Sequence, residues 1–285
     1  MAETPLLEVE DLHVTFRTPK GPVEAVRGVT FKLGREKLGI VGESGSGKSQ
    51  TGRAILGLID SRGEVRAKTL RFAGSDLLSA DERAMRRIRG NRISMILQDP
   101  KYSLNPVMTV GHQIAEAFLV HYKASRKDAR RRTLEMLEAV RIRDPERVYH
   151  AYPHELSGGM GQRVMIAMMM IPEPDIIIAD EPTSALDVTV SLQVLAILDD
   201  MVTRLGTGLI FISHDLNLVA SFCDRILIMY AGRVVETCPA GELDKAQHPY
   251  TRGLLNCLPK IEQGAEILPT LVRDPSWATQ DGTAR

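Results

Sequence analysis

Apolar residues along this chain repeat with two different periods, which predict short buried strands and longer amphipathic helices. Short, mainly apolar runs, typical of buried strands, occupy residues 38–41, 92–97, 176–179, 209–213 and 225–230. Helical periods at residues 191–205 and 216–221 separate the last three runs. Strands that alternate with helices favour a parallel sheet with right-handed crossovers, so the sequence predicts an α/β core.

Other regions flank or interrupt this core. Residues 6–16 and 23–31 alternate in part between apolar and polar side chains, and a turn rich in proline and glycine separates them, which predicts an antiparallel hairpin. From residue 110 to 171 the period is helical, which predicts a helical insert. The pattern weakens after residue 236, and we expect residues 279–285 to be frayed.

A glycine-rich loop lies between the first buried strand and the helical pattern that follows it. Its residues are Gly42, Glu43, Ser44, Gly45, Ser46, Gly47, Lys48 and Ser49. In this strand, turn and helix context, the pattern G-x-x-x-x-G-K-[ST] binds a nucleoside triphosphate. Backbone N–H groups contact the phosphates, Lys48 reaches the β- and γ-phosphates, and the Ser49 hydroxyl ligates Mg²⁺. We call residues 42–49 the phosphate loop; the alternative is a glycine-rich turn without chemical function.

Polar residues follow three of the predicted buried strands. Asp180 and Glu181 end one of these strands. Because neighbouring strand residues point to opposite faces, the two carboxylates are expected to have different roles. Asp180 would face the Mg²⁺ shell, and Glu181 the water that attacks the γ-phosphate. Gln98 follows another strand and offers a neutral oxygen to Mg²⁺. His214 follows a third and would hold the γ-phosphate and the attacking water, unless it only caps a helix beside Asp215.

A second candidate phosphate contact lies at Ser157, Gly158 and Gly159. Ser157 suits a helix N-cap, and the two glycines let the backbone approach an anion closely. One triphosphate in the phosphate loop leaves little room for another loop of the same chain. We therefore expect this segment to cap a nucleotide bound by a partner chain in a head-to-tail pair. A plain helix cap is the alternative.

Charge and cysteine content limit the partners and the cellular compartment that the sequence is compatible with. Lysine plus arginine and aspartate plus glutamate both number 36, so no bulk positive charge recruits nucleic acid or acidic lipid. We interpret the basic run at residues 126–132 as a solvated helix face. The three cysteines have no paired spacing, which favours a reducing cytoplasm and disfavours a metal site. We expect no secretion signal. We also expect no membrane-spanning helix, which would need roughly 20 consecutive apolar residues.

Taken together, these motifs resemble the ATP-binding cassette (ABC) family of transporter ATPases over residues 6–236. They follow the family's order, which is the phosphate loop, Gln98, a signature segment at residues 156–162, the acid pair Asp180 and Glu181, a loop at residues 184–187, and His214. The resemblance implies an α/β, P-loop NTPase fold, with a parallel-sheet core, an antiparallel β subdomain and an inserted α-helical subdomain. It also implies two ATP molecules, with Mg²⁺, held between two such subunits.

The resemblance also implies roles for individual residues. Glu181, His214 and Gln98 take part in catalysis, and Ser49, Gln98 and Asp180 hold Mg²⁺. The nucleotide-binding residues are the phosphate loop together with Gln50, Ser157, Gly158, Gly159, Gln162 and Asp187. Phe16 stacks on adenine, unless it is an ordinary core residue of a strand.

More narrowly, the sequence looks like the peptide and nickel importer branch of the family. The signals are the phosphate loop, residues 98–100 with 103–106, and His248-Pro249-Tyr250-Thr251. That branch pairs two different ABC ATPase chains with two transmembrane permeases and an extracytoplasmic solute-binding protein. Gly161 departs from the pattern, because the family often has arginine, lysine or glutamine there, and weakened function is expected. Residues 268–285 lack the cysteines with which many peptide-branch members end, so no iron–sulfur cluster is expected.

One hypothesis combines these expectations. Residues 1–236 form an ABC ATPase domain with its helical subdomain at about residues 103–171, and residues 237–285 form a C-terminal extension. The chain is a peripheral protein on the cytoplasmic face of the inner membrane and powers import of short peptides or a related small solute. A nickel or metal-chelate importer, an exporter subunit, and a soluble ABC ATPase acting on nucleic acid or ribosomes are the alternatives.

Overall fold

A computed structural model describes residues 5–257 together with Asp274 and Trp277. The chain divides into two units, the first formed by residues 1–79 and 210–285 and the second by residues 80–209. The expected fraying at residues 279–285 lies outside the described residues. The expected lack of an iron–sulfur cluster concerns residues 268–285. Only Asp274 and Trp277 of that range are described, so this expectation also lies outside the described residues.

The described chain contains both strands and helices, and they alternate one by one only over its later part. The strands are β1 (Leu7–Thr18), β2 (Gly21–Leu33), β3 (Lys37–Val41), β4 (Gly63–Arg66), β5 (Thr69–Phe72), β6 (Ser75–Asp76), β7 (Ile93–Ile96), β8 (Ile176–Asp180), β9 (Gly208–Ser213), β10 (Arg225–Tyr230) and β11 (Arg233–Pro239). The helices are α1 (Lys48–Ile55), α2 (Glu82–Ile88), α3 (Pro100–Ser103), α4 (Val110–Leu119), α5 (Arg126–Ala139), α6 (Pro145–His150), α7 (Gly158–Met170), α8 (Val188–Leu205), α9 (Leu216–Phe222) and α10 (Pro249–Asn256). Among residues 5–257, none of these helices combines the length and hydropathy that a bilayer crossing requires.

The first unit contains an antiparallel sheet built around β1. The strand order is β2-β1-β5-β6, and β4 also pairs with β1. Val14 lies opposite Val26 of β2 and Val65 of β4, and Val14 and Val26 are fully buried. The partial alternation therefore marks one buried face, and the predicted hairpin is confirmed. Its strands continue further than predicted, because the connecting turn is tight and Gly21 adopts a φ of +109°.

A second sheet in this unit carries β3. The strand order is β11-β10-β3-β9, where most of β9 belongs to this unit. Strands β3 and β10 run parallel, with Ile228 opposite Val41, and β11 runs antiparallel to β10, with Glu236 opposite Ile228. Ile40, Val41 and Ile228 are fully buried. The apolar runs that predicted buried strands thus lie in the core.

The second unit contains the parallel strands β7 and β8 and most of the helices. Met95 lies opposite Ile178, and every residue of both strands is buried. Helices α4 to α7 come between these strands in the chain, and α4 packs against α5, α6 and α7. Ile114, Leu137 and Val164 are fully buried there. The predicted fold class is confirmed, including the antiparallel β subdomain and the helical insert.

Candidate nucleotide-binding site

The phosphate loop connects β3 to α1 within the first unit. Gly47 is the N-cap of α1 with a φ of +99°, and a Cβ there would lie 2.4 Å from the carbonyl oxygen of Ala25 in β2. A Cβ on Gly42 would lie 2.2 Å from the carbonyl oxygen of Met229 in β10. Because only glycine fits both positions, two neighbouring strands fix the path of the loop backbone.

Lys48 and Ser46 give the loop its polar groups. Lys48 is 5% exposed, and its Nζ donates hydrogen bonds to the carbonyl oxygens of Gly42 (2.7 Å) and Glu43 (2.9 Å). The ammonium group is therefore folded over its own loop. The Oγ of Ser46 is buried and has no hydrogen-bond partner among the residues that the structure describes. A buried hydroxyl in that state costs free energy unless a ligand satisfies it, so the loop fits phosphate oxygens.

The rest of the predicted loop residues lie on the accessible side. Ser44 and Gly45 are exposed, and Ser49 and Gln50 are half-buried in the first turn of α1. A serine hydroxyl at the start of this helix suits an oxygen-preferring cation beside a phosphate.

Phe16 lies near the end of β1, opposite Val23 of β2 and Gly63 of β4. The side chain is half-buried, and its Cε1 is 2.9 Å from the position that a Cβ on Gly63 would take. Its ring therefore covers a glycine while part of it faces solvent. This geometry leaves an aromatic surface for stacking, and the stacking role stays a prediction.

His214 follows β9 in the first unit and is exposed. The helix cap in this region belongs to Asp215, whose carboxylate accepts a hydrogen bond from the N–H of Leu218 at 3.1 Å. The Asp215 N–H in turn donates to the Oγ of Ser213 at 3.0 Å. The alternative in which His214 caps α9 is therefore wrong, because Asp215 does so.

In the second unit, the structure brings Gln98 and Glu181 together. The Nε2 of Gln98 donates to the Oε2 of Glu181 at 3.5 Å. Asp180 is the last residue of β8 and is buried, whereas Glu181 is half-exposed. Glu181 also has a φ of +47°, which is rare for a residue with a Cβ and costs on the order of 1–3 kcal/mol. Such strained residues cluster at functional sites.

The oxygen donors predicted for Mg²⁺ are compatible with that ion. Within the described residues, no group of three or more His, Cys, Asp and Glu side chains is arranged to hold a metal. Mg²⁺ does not need such a cage, because it usually binds one or two protein carboxylates together with phosphate oxygens and water. Within the second unit, Asp180 offers one carboxylate and Gln98 one neutral oxygen, and in the first unit Ser49 offers a hydroxyl.

The start of α7 carries the signature residues. Ser157 caps the helix by accepting a hydrogen bond from the N–H of Met160 at 3.4 Å, and both Ser157 and Gly158 are exposed. A Cβ on Gly159 would lie 2.4 Å from a methyl group of Val190 in α8, so glycine lets the two helix starts approach closely. The plain helix cap is therefore present, and Ser157 also remains accessible to a ligand of another molecule.

Gln162 and Asp187 lie on the same two helices. Gln162 is 1% exposed, and its Nε2 has no hydrogen-bond partner in the part of the chain that the structure describes. Asp187 is the N-cap of α8 and accepts a hydrogen bond from the N–H of Val190 at 3.0 Å. Its exposed carboxylate is therefore held at the start of α8, the helix whose Val190 packs against Gly159.

Sequence reasoning missed one contact of the phosphate loop. The hydroxyl oxygen of Tyr250 accepts a hydrogen bond from the N–H of Glu43 at 3.2 Å. Tyr250 entered the sequence analysis only through the resemblance to the importer branch. The pair His248-Pro249, which suits an N-cap and first helical residue, was the signal that could have predicted its helix.

Comparisons with known proteins show which family and which solved fold this chain resembles. The sequence matches the family model described as ABC transporter over residues 26–184. The oligopeptide transport ATP-binding protein OppD of Salmonella typhimurium (strain LT2) is 46% identical over 279 residues, covering 95% of this chain and 83% of that protein. OppD of Bacillus subtilis (strain 168) is 48% identical over 266 residues, covering 92% and 74%. A solved dimeric, post-hydrolysis structure of the ATP-binding cassette MJ0796, bound to ADP and Pi, matches with a TM-score of 0.72 and 27% identity, covering 82% of this chain and 98% of that chain.

Proposed function

Because the chain belongs to the ABC transporter family, we propose that it is the ATP-hydrolysing subunit of an importer for short peptides or a related small solute. The observation that carries this proposal is the phosphate loop. Its path requires glycine at positions 42 and 47, its Lys48 ammonium is buried, and its Ser46 hydroxyl has no hydrogen-bond partner among the described residues. The names of the oligopeptide transport relatives, which match along most of the chain, support the substrate class.

ATP binds with its phosphates in the phosphate loop and its adenine against Phe16. The backbone N–H groups of the loop and the Lys48 ammonium contact the β- and γ-phosphates. Mg²⁺, when bound, would supply positive charge that offsets the negative charge of the phosphates. Ser49, Gln98 and Asp180 would hold that ion, and Gln50, in the first turn of α1, follows Ser49 in the chain.

Hydrolysis needs a base and a group that holds the attacking water. Glu181 acts as general base and takes a proton from the water as its oxygen attacks the γ-phosphorus, so that ADP leaves and inorganic phosphate forms. His214 hydrogen-bonds the γ-phosphate and the water. Gln98 donates a hydrogen bond to Glu181 in this structure, which suits a residue that orients the base.

A second cassette subunit completes each nucleotide site. Ser157, Gly158 and Gly159 of one chain contact the γ-phosphate bound by the other, and Gln162 and Asp187 support that contact. Closure gains these contacts only while the γ-phosphate is present, so hydrolysis releases them and reopens the pair. The exposure of Ser157 and Gly158 is compatible with this role. The partner is a related but different chain, as the branch pattern implies.

The other partners are two transmembrane permeases and an extracytoplasmic solute-binding protein, which place the chain on the cytoplasmic face of the membrane. Nucleic acid is not among them. Three arginines of the basic run in α5 form ion pairs, Arg130 with Glu146, Arg131 with Glu135 and Arg132 with Glu173. These pairs offset three of the five positive charges of the run, and the whole chain carries equal numbers of basic and acidic residues.

Purification from native membranes tests this function. A tagged chain should bring down two membrane proteins and a second cassette, and ATP hydrolysis by that complex should rise when peptide-loaded binding protein is added. Lys48→Ala should abolish the hydrolysis. Stimulation by a nickel complex but not by peptide would change the substrate class, and recovery of ribosomes or nucleic acid in place of permeases would contradict the importer.

A further inference from the structure

We propose that Tyr250 is a positioning residue for nucleotide binding, so that α10, which lies beyond the family match and beyond the predicted ATPase domain, is part of the ATP site. This inference rests on the proposed role of the phosphate loop. It adds to that role a residue far away in the sequence, since Tyr250 and Glu43 are separated by 207 positions. Tyr250 and Glu43 both belong to the first unit, as do Tyr230 and Trp277.

The contact is buried and specific. Tyr250 has no exposed surface, and its hydroxyl oxygen accepts the Glu43 N–H at 3.2 Å. Its ring packs against Tyr230 at the end of β10, with ring centroids 4.6 Å apart, and against Trp277, with centroids 6.0 Å apart. A tyrosine in an apolar aromatic cluster normally directs its hydroxyl at a polar partner, and here a phosphate-loop amide is such a partner.

The start of α10 is held firmly in place. The Nδ1 of His248 accepts a hydrogen bond from the Tyr250 N–H at 3.2 Å, and Pro249 occupies the first helical position. The carboxylate of Glu236 in β11 accepts hydrogen bonds from the N–H groups of Gln247 (2.6 Å) and His248 (3.3 Å). Because β11 pairs with β10 and β10 with β3, the helix that presents Tyr250 is anchored to the sheet from which the loop emerges.

Glu43 links this anchor to the catalytic lysine. Its N–H donates to Tyr250, and its carbonyl oxygen accepts a hydrogen bond from the Lys48 ammonium at 2.9 Å. The other end of the loop is held separately, since the Ser46 carbonyl oxygen accepts the Gly232 N–H at 3.1 Å. Tyr250 therefore fixes the orientation of the early loop backbone, and through Glu43 it biases the position from which Lys48 reaches phosphate.

The test is Tyr250→Phe in the intact transporter complex. This variant keeps the ring and its packing but removes the acceptor for the Glu43 N–H. We expect KM for ATP to rise by about 3- to 10-fold, the range that one lost hydrogen bond produces. The kcat at saturating ATP should stay within about twofold, because Glu181 is untouched. The matched control is Tyr122→Phe, which removes a hydroxyl that donates to the Pro172 carbonyl oxygen at 2.8 Å in the second unit, and should leave KM unchanged.

Trp277 supplies a second readout, since it is the only tryptophan of the sequence and packs on Tyr250. ATP should change its fluorescence in the wild-type chain, and this change should become smaller in Tyr250→Phe at saturating ATP. A purely structural role of the hydroxyl would lower Tm without moving KM, and that result would overturn the inference. So would a wild-type KM in Tyr250→Phe.

Lys48→Ala separates the two levels of the proposal. If ATP binding falls in Lys48→Ala but not in Tyr250→Phe, the phosphate loop stands and the positioning role of Tyr250 is wrong. If Lys48→Ala binds ATP as tightly as the wild-type chain, the proposed function of the loop itself fails, and the inference fails with it.

Discussion

Two glycines of the phosphate loop differ in how much space a side chain would have. Gly45 and Gly47 both have positive φ angles, +81° and +99°. A Cβ on Gly45 would meet open space, whereas a Cβ on Gly47 would lie 2.4 Å from the backbone oxygen of Ala25. The motif requires glycine at position 47 but accepts any residue at position 45, and the atoms around each position explain this difference.

Gly47→Ala should therefore cost more than Gly45→Ala. We expect about 1–2 kcal/mol of backbone strain in both variants, and roughly 1–3 kcal/mol of additional overpacking in Gly47→Ala. Urea unfolding measures the stability difference, and ATP titration should show the weaker binding in Gly47→Ala. Equal losses in the two variants would mean that Ala25 does not confine the loop.

Residue-scale electrostatics also predict a pH dependence in the β subdomain. The hydrogen bond from the His13 ring to Glu24 at 2.7 Å, together with that to Asp11 at 3.0 Å, raises the pKa of His13, although partial burial opposes the shift. A raised folded-state pKa contributes stability that is complete below the unfolded pKa of about 6.5 and is lost as pH rises through the folded value.

The comparison with His13→Gln isolates this contribution. The free energy of unfolding of the wild-type chain should fall relative to that of His13→Gln between about pH 6 and about pH 8.5. Chemical denaturation of both proteins at the two pH values gives the difference directly. A wild-type advantage that grows with pH would have the wrong sign for a protonated His13.

At the scale of elements, sequence patterns were most reliable where one face or both faces are buried. Strands β7, β8 and β10 lie where the apolar runs predicted buried strands. Because nearly all of their residues are buried, these runs could be recognised from the sequence. Helix α8 was expected from residue 191 but begins at Val188, because Asp187 caps it. The capping residue was in the sequence, but residues 188–191 alternate between valine and a hydroxyl residue, and this period of two hid the helical period.

Two elements after residue 232, β11 and α10, were not predicted, for physical reasons. In β11 only Val235 is buried, so the strand has no alternating signature. Helix α10 is short, and its important side chain, Tyr250, packs on residues distant in sequence. Local patterns predicted the phosphate loop because its chemistry is local, but they could not predict a contact that depends on the assembled sheet.

The signature helix α7 offers a test at the element scale. Gly161 lies inside this helix, and a Cβ there would contact the Pro100 side chain at 3.5 Å, an ordinary van der Waals distance. Gly161→Ala should therefore stabilise the chain by about 0.5–1 kcal/mol, the difference in helix propensity. Urea unfolding checks the value, with Gly159→Ala as the crowded control that should destabilise. A loss of stability in Gly161→Ala would contradict the available space.

At the scale of the whole molecule, the predicted site residues divide between the two units. The phosphate loop, Phe16 and His214 belong to the first, and Gln98, Asp180, Glu181 and the signature residues belong to the second. Sequence motifs predicted the chemistry of each group, since residue type and spacing determine what binds phosphate or takes a proton. The proposal that two chains cooperate rests on the exposed Ser157 and Gly158 together with the family's pattern.

The most direct measurement is the mass and nucleotide content of Glu181→Gln with its second cassette in Mg²⁺ and ATP. Removing the base should block turnover while leaving every binding contact, so we predict a stable dimer that retains ATP, which Ser157→Ala added to the same variant should weaken. Full hydrolysis by Glu181→Gln would remove Glu181 from its role. An ATP-bound monomer in which crosslinks from Lys48 and Ser157 reach the same nucleotide would contradict the two-chain site.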